Sequence, residues 1–200
     1  MALTIFIANC WWDSVTAAYV GSVVPLAIQC AHASYRGGEI REALIFGGVV
    51  GGMWPAGEWA VVHTVGWWGA YLKPDLAILE TPLYAVFIAW LASTYCVYVG
   101  IRVHAVGYGL MIASVISATS ALAIGALGEN LFVWAGLWRY EAAALRFGAV
   151  PAFIPVSYGL SYAAAPFVRR LPVWQGALAI TLAMLVVSVG LGLAAGFFPR

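Results

Sequence analysis

Charged residues are scarce in this chain: nine Lys and Arg and eight Asp and Glu among 200 residues make 8%, against 64% hydrophobic. Mean hydropathy is +0.94. A soluble protein of this size must show water many charged side chains, so the composition excludes a soluble domain and supports one membrane domain over 1–200. Cysteine is nearly absent, and Cys10, Cys30 and Cys96 form neither a CxxC pair nor another metal-ligand spacing, which argues against a disulfide framework. His32, His63 and His104 are scattered, with no i, i+4 pair and no HxxE or ExxH spacing, so a metal site is not expected. An aspartate-rich DDxxD cluster, a P-loop, a GxGxxG turn and a CxxCH are all missing. Magnesium–diphosphate ionisation and nucleotide or haem cofactors lose their support with them. No cofactor is expected, and with a net charge of +1 no nucleic-acid partner.

Long apolar stretches are present instead. Six segments of roughly 20 residues fit membrane spans, at about 15–35, 40–64, 80–101, 105–135, 150–168 and 173–197. The expected fold is all-α, a polytopic membrane helical bundle of about six transmembrane helices. The first twelve residues lack the basic start and cleavage site of a signal peptide. They read as an interfacial segment, with Trp11 and Trp12 in the headgroup belt and Asp13 or Ser14 capping the first span.

Arg36, Arg41, Arg102, Arg169 and Arg170 fall on the short connections, whereas Lys73, Arg139, Arg146 and Arg200 fall on the opposite face. The positive-inside rule therefore puts the short basic loops in the cytoplasm of a multi-pass cell-membrane protein, with both termini outside. Gly47-Gly48 with Gly51-Gly52, and Gly192 with Gly196, form small-xxx-small pairs of the kind that let membrane helices approach. Pro55 would free a carbonyl close to Glu58, and Pro151, Pro155 and Pro166 mark the fifth span as bent.

One pattern occurs twice. Gly57-Glu58, then Gly66-Trp67-Trp68-Gly69-Ala70-Tyr71, then Thr81-Pro82 is matched by Gly128-Glu129, then Gly136-Leu137-Trp138-Arg139-Tyr140, then Val150-Pro151. The loop tyrosine precedes the proline by the same interval in both. This is an internal two-helix repeat, with copies at 40–101 and 105–168, and it puts Glu58 and Glu129 in equivalent places inside helices. A carboxyl there is desolvated and expected to be held largely protonated near neutrality. A neutral carboxylic acid in a dry pocket can donate a proton to a weak base such as a carbon–carbon double bond. Indole and phenol faces stabilise the resulting cation by ~0.5–2 kcal/mol each when desolvated. Trp54, Trp59, Trp67, Trp68 and Tyr71 attend the first glutamate, and Trp134, Trp138 and Tyr140 the second, although such aromatics also serve as an interfacial belt. Asn130 and Arg139 have no apolar rationale; each could orient a carboxyl or a water, or Arg139 could pair with Glu141 at the surface.

At the second motif, the run from Glu129-Asn130-Leu131-Phe132 through Gly136-Leu137-Trp138-Arg139-Tyr140 to Gly148-Ala149-Val150-Pro151-Ala152-Phe153-Ile154-Pro155-Val156-Ser157-Tyr158 resembles the membrane carotenoid hydratases of the γ-carotene and bisanhydrobacterioruberin type, which implies a substrate-binding place for Tyr158. The resemblance implies water addition to a terminal double bond of a long polyene without metal or nucleotide, with Glu129, Trp138, Tyr140 and Pro151 carrying over. Thr81-Pro82 in the first copy departs from the Gly-Val-Pro of that pattern. The architecture is also similar to that of small integral-membrane terpene cyclases. The expected partners are a hydrophobic isoprenoid substrate and the lipid bilayer, with a homo-oligomer or larger membrane complex left open. The alternatives are a non-catalytic subunit or a lipid- or pigment-binding assembly factor, and a proton-coupled transporter, whose usual inverted repeat does not suit two-span copies of like orientation.

Overall fold

The computed structural model describes residues 13–66, 69–73, 75–140, 145–168 and 170–196. The expected interfacial segment at Trp11-Trp12 lies outside them. The first helix, α1 (Ser14–Arg36), begins at Asp13, whose carboxylate accepts from the Val15 and Thr16 N–H groups at 3.0 and 3.1 Å. It stops at Gly37, whose φ of +60° is a left-handed value that a side chain resists. The next two helices are α2 (Gly38–Val65) and α3 (Leu83–Ala105), followed by α4 (Leu110–Trp134). The fifth span is broken into α5 (Phe153–Tyr162) and α6 (Ala165–Val168), and α7 (Val173–Ala194) is the last helix among the described residues.

Helix α2 packs on α3, α3 on α4, α4 on α5, α5 on α7 and α7 back on α2, which closes a ring. Helix α1 lies outside it, held to α2 and α3 by Leu26, Ala33, Leu44 and Leu91. Inside the ring, Phe46, Val50, Val97, Ile180 and Met184 form the main core. The α2–α3 contact depends on absent side chains: a Cβ on Gly47 would lie 2.6 Å from the Trp90 carbonyl, and one on Gly51 2.9 Å from the Val86 carbonyl. The small-residue reading therefore holds for these two. It fails for Gly52, which faces open space, and for Gly196, which ends the chain's last helical turn at φ +64° with nothing beside it.

Four helices, α1, α3, α4 and α7, are long and apolar enough to cross a membrane. Two of the expected six spans differ from that standard for physical reasons. Helix α2 has the length, at 28 residues, but spends it on glycines and on charged Glu39, Arg41, Glu42 and Glu58. The 150–168 segment breaks at Ala163-Ala164 because Pro166 has no N–H to offer the Tyr162 carbonyl. Ser117 on α4 replaces the lost donor at 2.9 Å, and Ser114 donates to the Ala163 carbonyl. Irregular backbone is tolerated at membrane depth where neighbouring helices satisfy it in this way.

The connections α2–α3 and α4–α5 share one plan. The first holds β1 (Gly69–Tyr71), β2 (Ala77–Ile78) and β3 (Thr81–Pro82), and the second holds β4 (Trp138–Tyr140), β5 (Arg146–Phe147) and β6 (Val150–Pro151). Strands β2–β3 and β5–β6 are small hairpins, whereas β1 and β4 pair with each other, antiparallel, in the register Gly69↔Tyr140, Ala70↔Arg139 and Tyr71↔Trp138. Since Tyr71 corresponds to Tyr140 in the sequence pattern, each position pairs with its own counterpart's mirror. A local two-fold axis passes between Ala70 and Arg139. At the other end, Arg102 lies 3.8 Å from Glu39, so the α1–α2 and α3–α4 connections lie together, away from the motif loops.

Candidate active site

Both glutamates are buried, at 9% exposure each, and both line one cavity of about 420 Å³ inside the ring. Glu58 comes from the last third of α2, where Gly57 lets Leu185 of α7 approach to within 3.0 Å of a notional Cβ. Its Oε1 accepts from the Tyr71 hydroxyl at 2.8 Å, and its Oε2 from the Thr81 hydroxyl at 2.6 Å. Glu129, near the end of α4, is held by three donors. Trp138 Nε1 and the Tyr140 hydroxyl reach Oε2 at 3.0 and 2.6 Å, and the Tyr158 hydroxyl reaches Oε1 at 2.7 Å. A buried carboxyl costs several kcal/mol unless it is paired or hydrogen-bonded. Tyrosine and tryptophan supply those bonds without introducing a counter-charge.

The β1–β4 ladder joins the two carboxyl sites. Gly69 permits it, because a Cβ there would stand 2.3 Å from the Arg139 carbonyl. The pairing sets the Tyr71 ring edge-on to Trp138 with centroids 5.8 Å apart, so a donor to one glutamate touches a donor to the other. Burial, then the adjacent Glu58 and Glu129 carboxyls, push the Tyr71 and Tyr140 phenols well above their usual value, which keeps them protonated as donors.

The rest of the wall is apolar or aromatic, including Ile88, Ile124, Phe132, Ile154 and Met184. Tyr95 of α3 and Leu127 of α4 line the cavity yet are 41% and 69% exposed. The cavity thus opens sideways along the α3–α4 seam, where Ala89, Ala92 and Ala123 leave room.

Of the sequence candidates, Glu58, Glu129, Trp54, Tyr71, Trp138, Arg139, Tyr140 and Tyr158 all line this cavity. Trp67 and Trp68, and Glu141, lie outside the described residues. Two candidates are corrected by their positions. Trp134 is 64% exposed on the outside of α4 and does not line the cavity, as an interfacial tryptophan would be placed. Asn130 is turned toward backbone: its Nδ2 donates to the Ala126 and Phe147 carbonyls at 2.7 and 2.8 Å, and its Oδ1 accepts from the Ala149 N–H at 2.7 Å. Asn130 therefore staples the β5–β6 hairpin beneath Gly148, whose φ of +62° and closeness to Oδ1 leave no room for a side chain. Its 100° offset from Glu129 on the helix explains why one points inward and the other at the hairpin.

Thr81 is the site residue that sequence reasoning missed. Its signal was the polar hydroxyl directly before the motif proline, where the second copy has Val150. Among the described residues no group of His, Cys, Asp and Glu is arranged to hold a metal. Comparison of the chain with protein-family models, with curated proteins and with solved structures gives no match.

Proposed function

We propose that the chain is a multi-pass integral membrane enzyme that protonates a carbon–carbon double bond, or an epoxide, of an isoprenoid or carotenoid and directs the cation to hydration or cyclisation. The observation that carries this reading is the pair of buried glutamates facing one apolar, aromatic-walled cavity that opens sideways. A long hydrocarbon enters such a cavity from the bilayer, and among the described residues the two glutamates are the only carboxyls in its lining. One glutamic acid gives its proton to an alkene carbon, leaving a tertiary cation beside the Trp54, Tyr71, Trp138 and Tyr140 rings. The other carboxylate takes the final proton, from an attacking water in hydration or from a carbon next to the cation after ring closure. Neither route needs an oxidant or reductant. The resemblance of Glu129, Trp138, Tyr140 and Pro151 to the carotenoid hydratases agrees with the hydration branch. In this reading all six helical segments are embedded, α2 and the broken α5–α6 lining the site, and the short basic connections are cytoplasmic.

The test is mass spectrometry of lipid extracts from polyprenyl- or lycopene-producing hosts grown in ordinary and oxygen-18 water. A product heavier by one labelled water identifies a hydratase, and an isomer of unchanged mass identifies a cyclase. Glu129→Gln keeps volume and hydrogen bonding but can neither give nor take a proton, so product formation should cease; undiminished turnover in Glu58→Gln and Glu129→Gln alike would end the enzyme reading. The hydrogen-bond saturation of both carboxyls favours a second reading, a lipid- or pigment-binding subunit in which they merely tie helices together. That protein would copurify with an unaltered isoprenoid.

A further inference from the structure

Glu58 and Glu129 are related by the local two-fold, yet their surroundings beyond the shared cavity differ. Glu58 also lines a second pocket, of about 370 Å³, on the loop side of the bundle. The partition between pocket and cavity is thin, consisting of Glu58 itself with Ala70 and Tyr71, which line both. The outer walls are Trp59 and Val62 of α2 with Leu79 and Glu80 of the β2–β3 turn. Trp59 is 43% and Leu79 51% exposed, and Glu80 is exposed as well. Glu129 does not line this pocket and has Trp138, Tyr140 and Tyr158 packed on it.

The turn that forms the mouth is itself unusual. Leu79 and Glu80 have φ of +47° and +70°, left-handed values that a two-residue hairpin turn demands and that glycine or asparagine normally supply. The corresponding turn in the second copy uses Gly148. Retaining side chains at both strained positions of the first copy places a large apolar group and a carboxylate at the entrance to Glu58. Strain of this kind is characteristic of functional sites.

We propose that Glu58 is the proton-exchanging acid of the pair, held in equilibrium with the aqueous phase through the outer pocket by way of Glu80, while Glu129 faces only the inner apolar cavity. This rests on the acid-catalysis reading and deepens it by giving the two carboxyls separate duties. In each turnover Glu58 gives its proton to the substrate carbon, and Glu129 takes one from the product cation or from the water that adds to it. The proton on Glu129 then returns across the cavity to Glu58, whose protonation is kept in equilibrium with water through the outer pocket and Glu80, so no net charge accumulates.

The test uses the full-length protein in lipid nanodiscs at mildly acidic pH, treated with a water-soluble carbodiimide and glycine ethyl ester and read by peptide mass spectrometry. Glu58 and Glu80 should be modified and Glu129 spared. The membrane-soluble dicyclohexylcarbodiimide, which arrives through the α3–α4 seam, should modify Glu58 and Glu129 alike. Val62→Trp fills the outer pocket and should abolish aqueous labelling of Glu58 while leaving Glu80 and the membrane-soluble reaction unchanged. A fold broken by that substitution would reveal itself by aqueous labelling of Glu129. Equal aqueous labelling of both glutamates in the native protein, or an unlabelled Glu58, overturns the proposal. Because this readout needs no substrate, selective labelling without any isoprenoid turnover would refute catalysis and leave the access route standing.

Discussion

Gly125 lies one turn before Glu129 on α4, and its missing side chain is what allows Tyr158 to reach the carboxyl. A Cβ at position 125 would lie 2.5 Å from Tyr158 Cδ2 and 3.2 Å from Pro155 Cα. Carbon atoms in contact prefer about 3.5–4.0 Å, so in Gly125→Ala the ring must withdraw by about 1 Å or more. The Tyr158 hydroxyl then leaves its 2.7 Å bond to Oε1, since beyond about 3.5 Å no useful hydrogen bond remains. Losing a bond to a buried acid is worth ~1–3 kcal/mol, or about 5- to 150-fold in a rate that depends on Glu129. Tyr158→Phe removes the same bond without moving the ring. The two substitutions should therefore each slow product formation by a similar factor, and the double variant should be no worse than the poorer single, a coupling of ~1–3 kcal/mol. The assay is initial rate of isoprenoid conversion in membranes, with thermal stability in detergent measured alongside. Strictly additive losses, or a Gly125→Ala enzyme with full activity, would falsify the argument that Gly125 acts through Tyr158.

Other consequences follow from neighbouring contacts. Gly47→Ala should lower the midpoint of thermal unfolding relative to Gly52→Ala, because only Gly47 abuts the Trp90 and Thr94 backbone; the helix-propensity gain of about 1 kcal/mol is common to both, so the difference isolates a packing cost of ~1–3 kcal/mol. Equal midpoints would refute the close-approach account of the α2–α3 contact. Thr81→Val recreates the second copy's residue and strips Glu58 of its 2.6 Å donor, with an expected rate loss of ~5- to 150-fold and little change in fold; a fully active variant counts against Thr81 as a positioning group. The Thr16 hydroxyl and N–H hold the Asp13 carboxyl below its ordinary 3.8, so this cap supports α1 above that range and is lost as pH falls through the folded value. Amide protection factors at Val15 and Thr16, taken relative to the intrinsic exchange rate at each pH, should fall on acidification in the native protein and stay flat in Asp13→Asn; a parallel fall in both would refute the assignment.

Helices α1, α3, α4 and α7 were legible because each is a long apolar run, and Asp13 and Pro166 announced their roles by residue type alone. The glutamates were legible because a carboxyl twice placed before an aromatic loop has no packing rationale in hydrocarbon. Their meeting in one cavity was not, because it depends on the β1–β4 ladder. Those strands are three residues long, lack the alternation of a half-buried strand, and pair residues 69 positions apart at Ala70 and Arg139 in a register fixed by Gly69. Trp134 and Asn130 misled for the opposite reason. They neighbour Glu129 in sequence, but helical geometry sends one to the outside of α4 and the other under the hairpin.

The ladder's two-fold symmetry bears on how acid and base can coexist in one pocket. Two identical half-chains meeting about such an axis would be obliged to surround both carboxyls with the same neighbours, leaving the pair equally acidic and neither committed to giving or receiving. Covalent continuity removes that obligation. Thr81 against Val150, and Leu79-Glu80 against Gly148-Ala149, are differences that a single polypeptide can hold on opposite sides of its own axis, and under the proposed acid–base reading they give a symmetric scaffold a direction for proton flow.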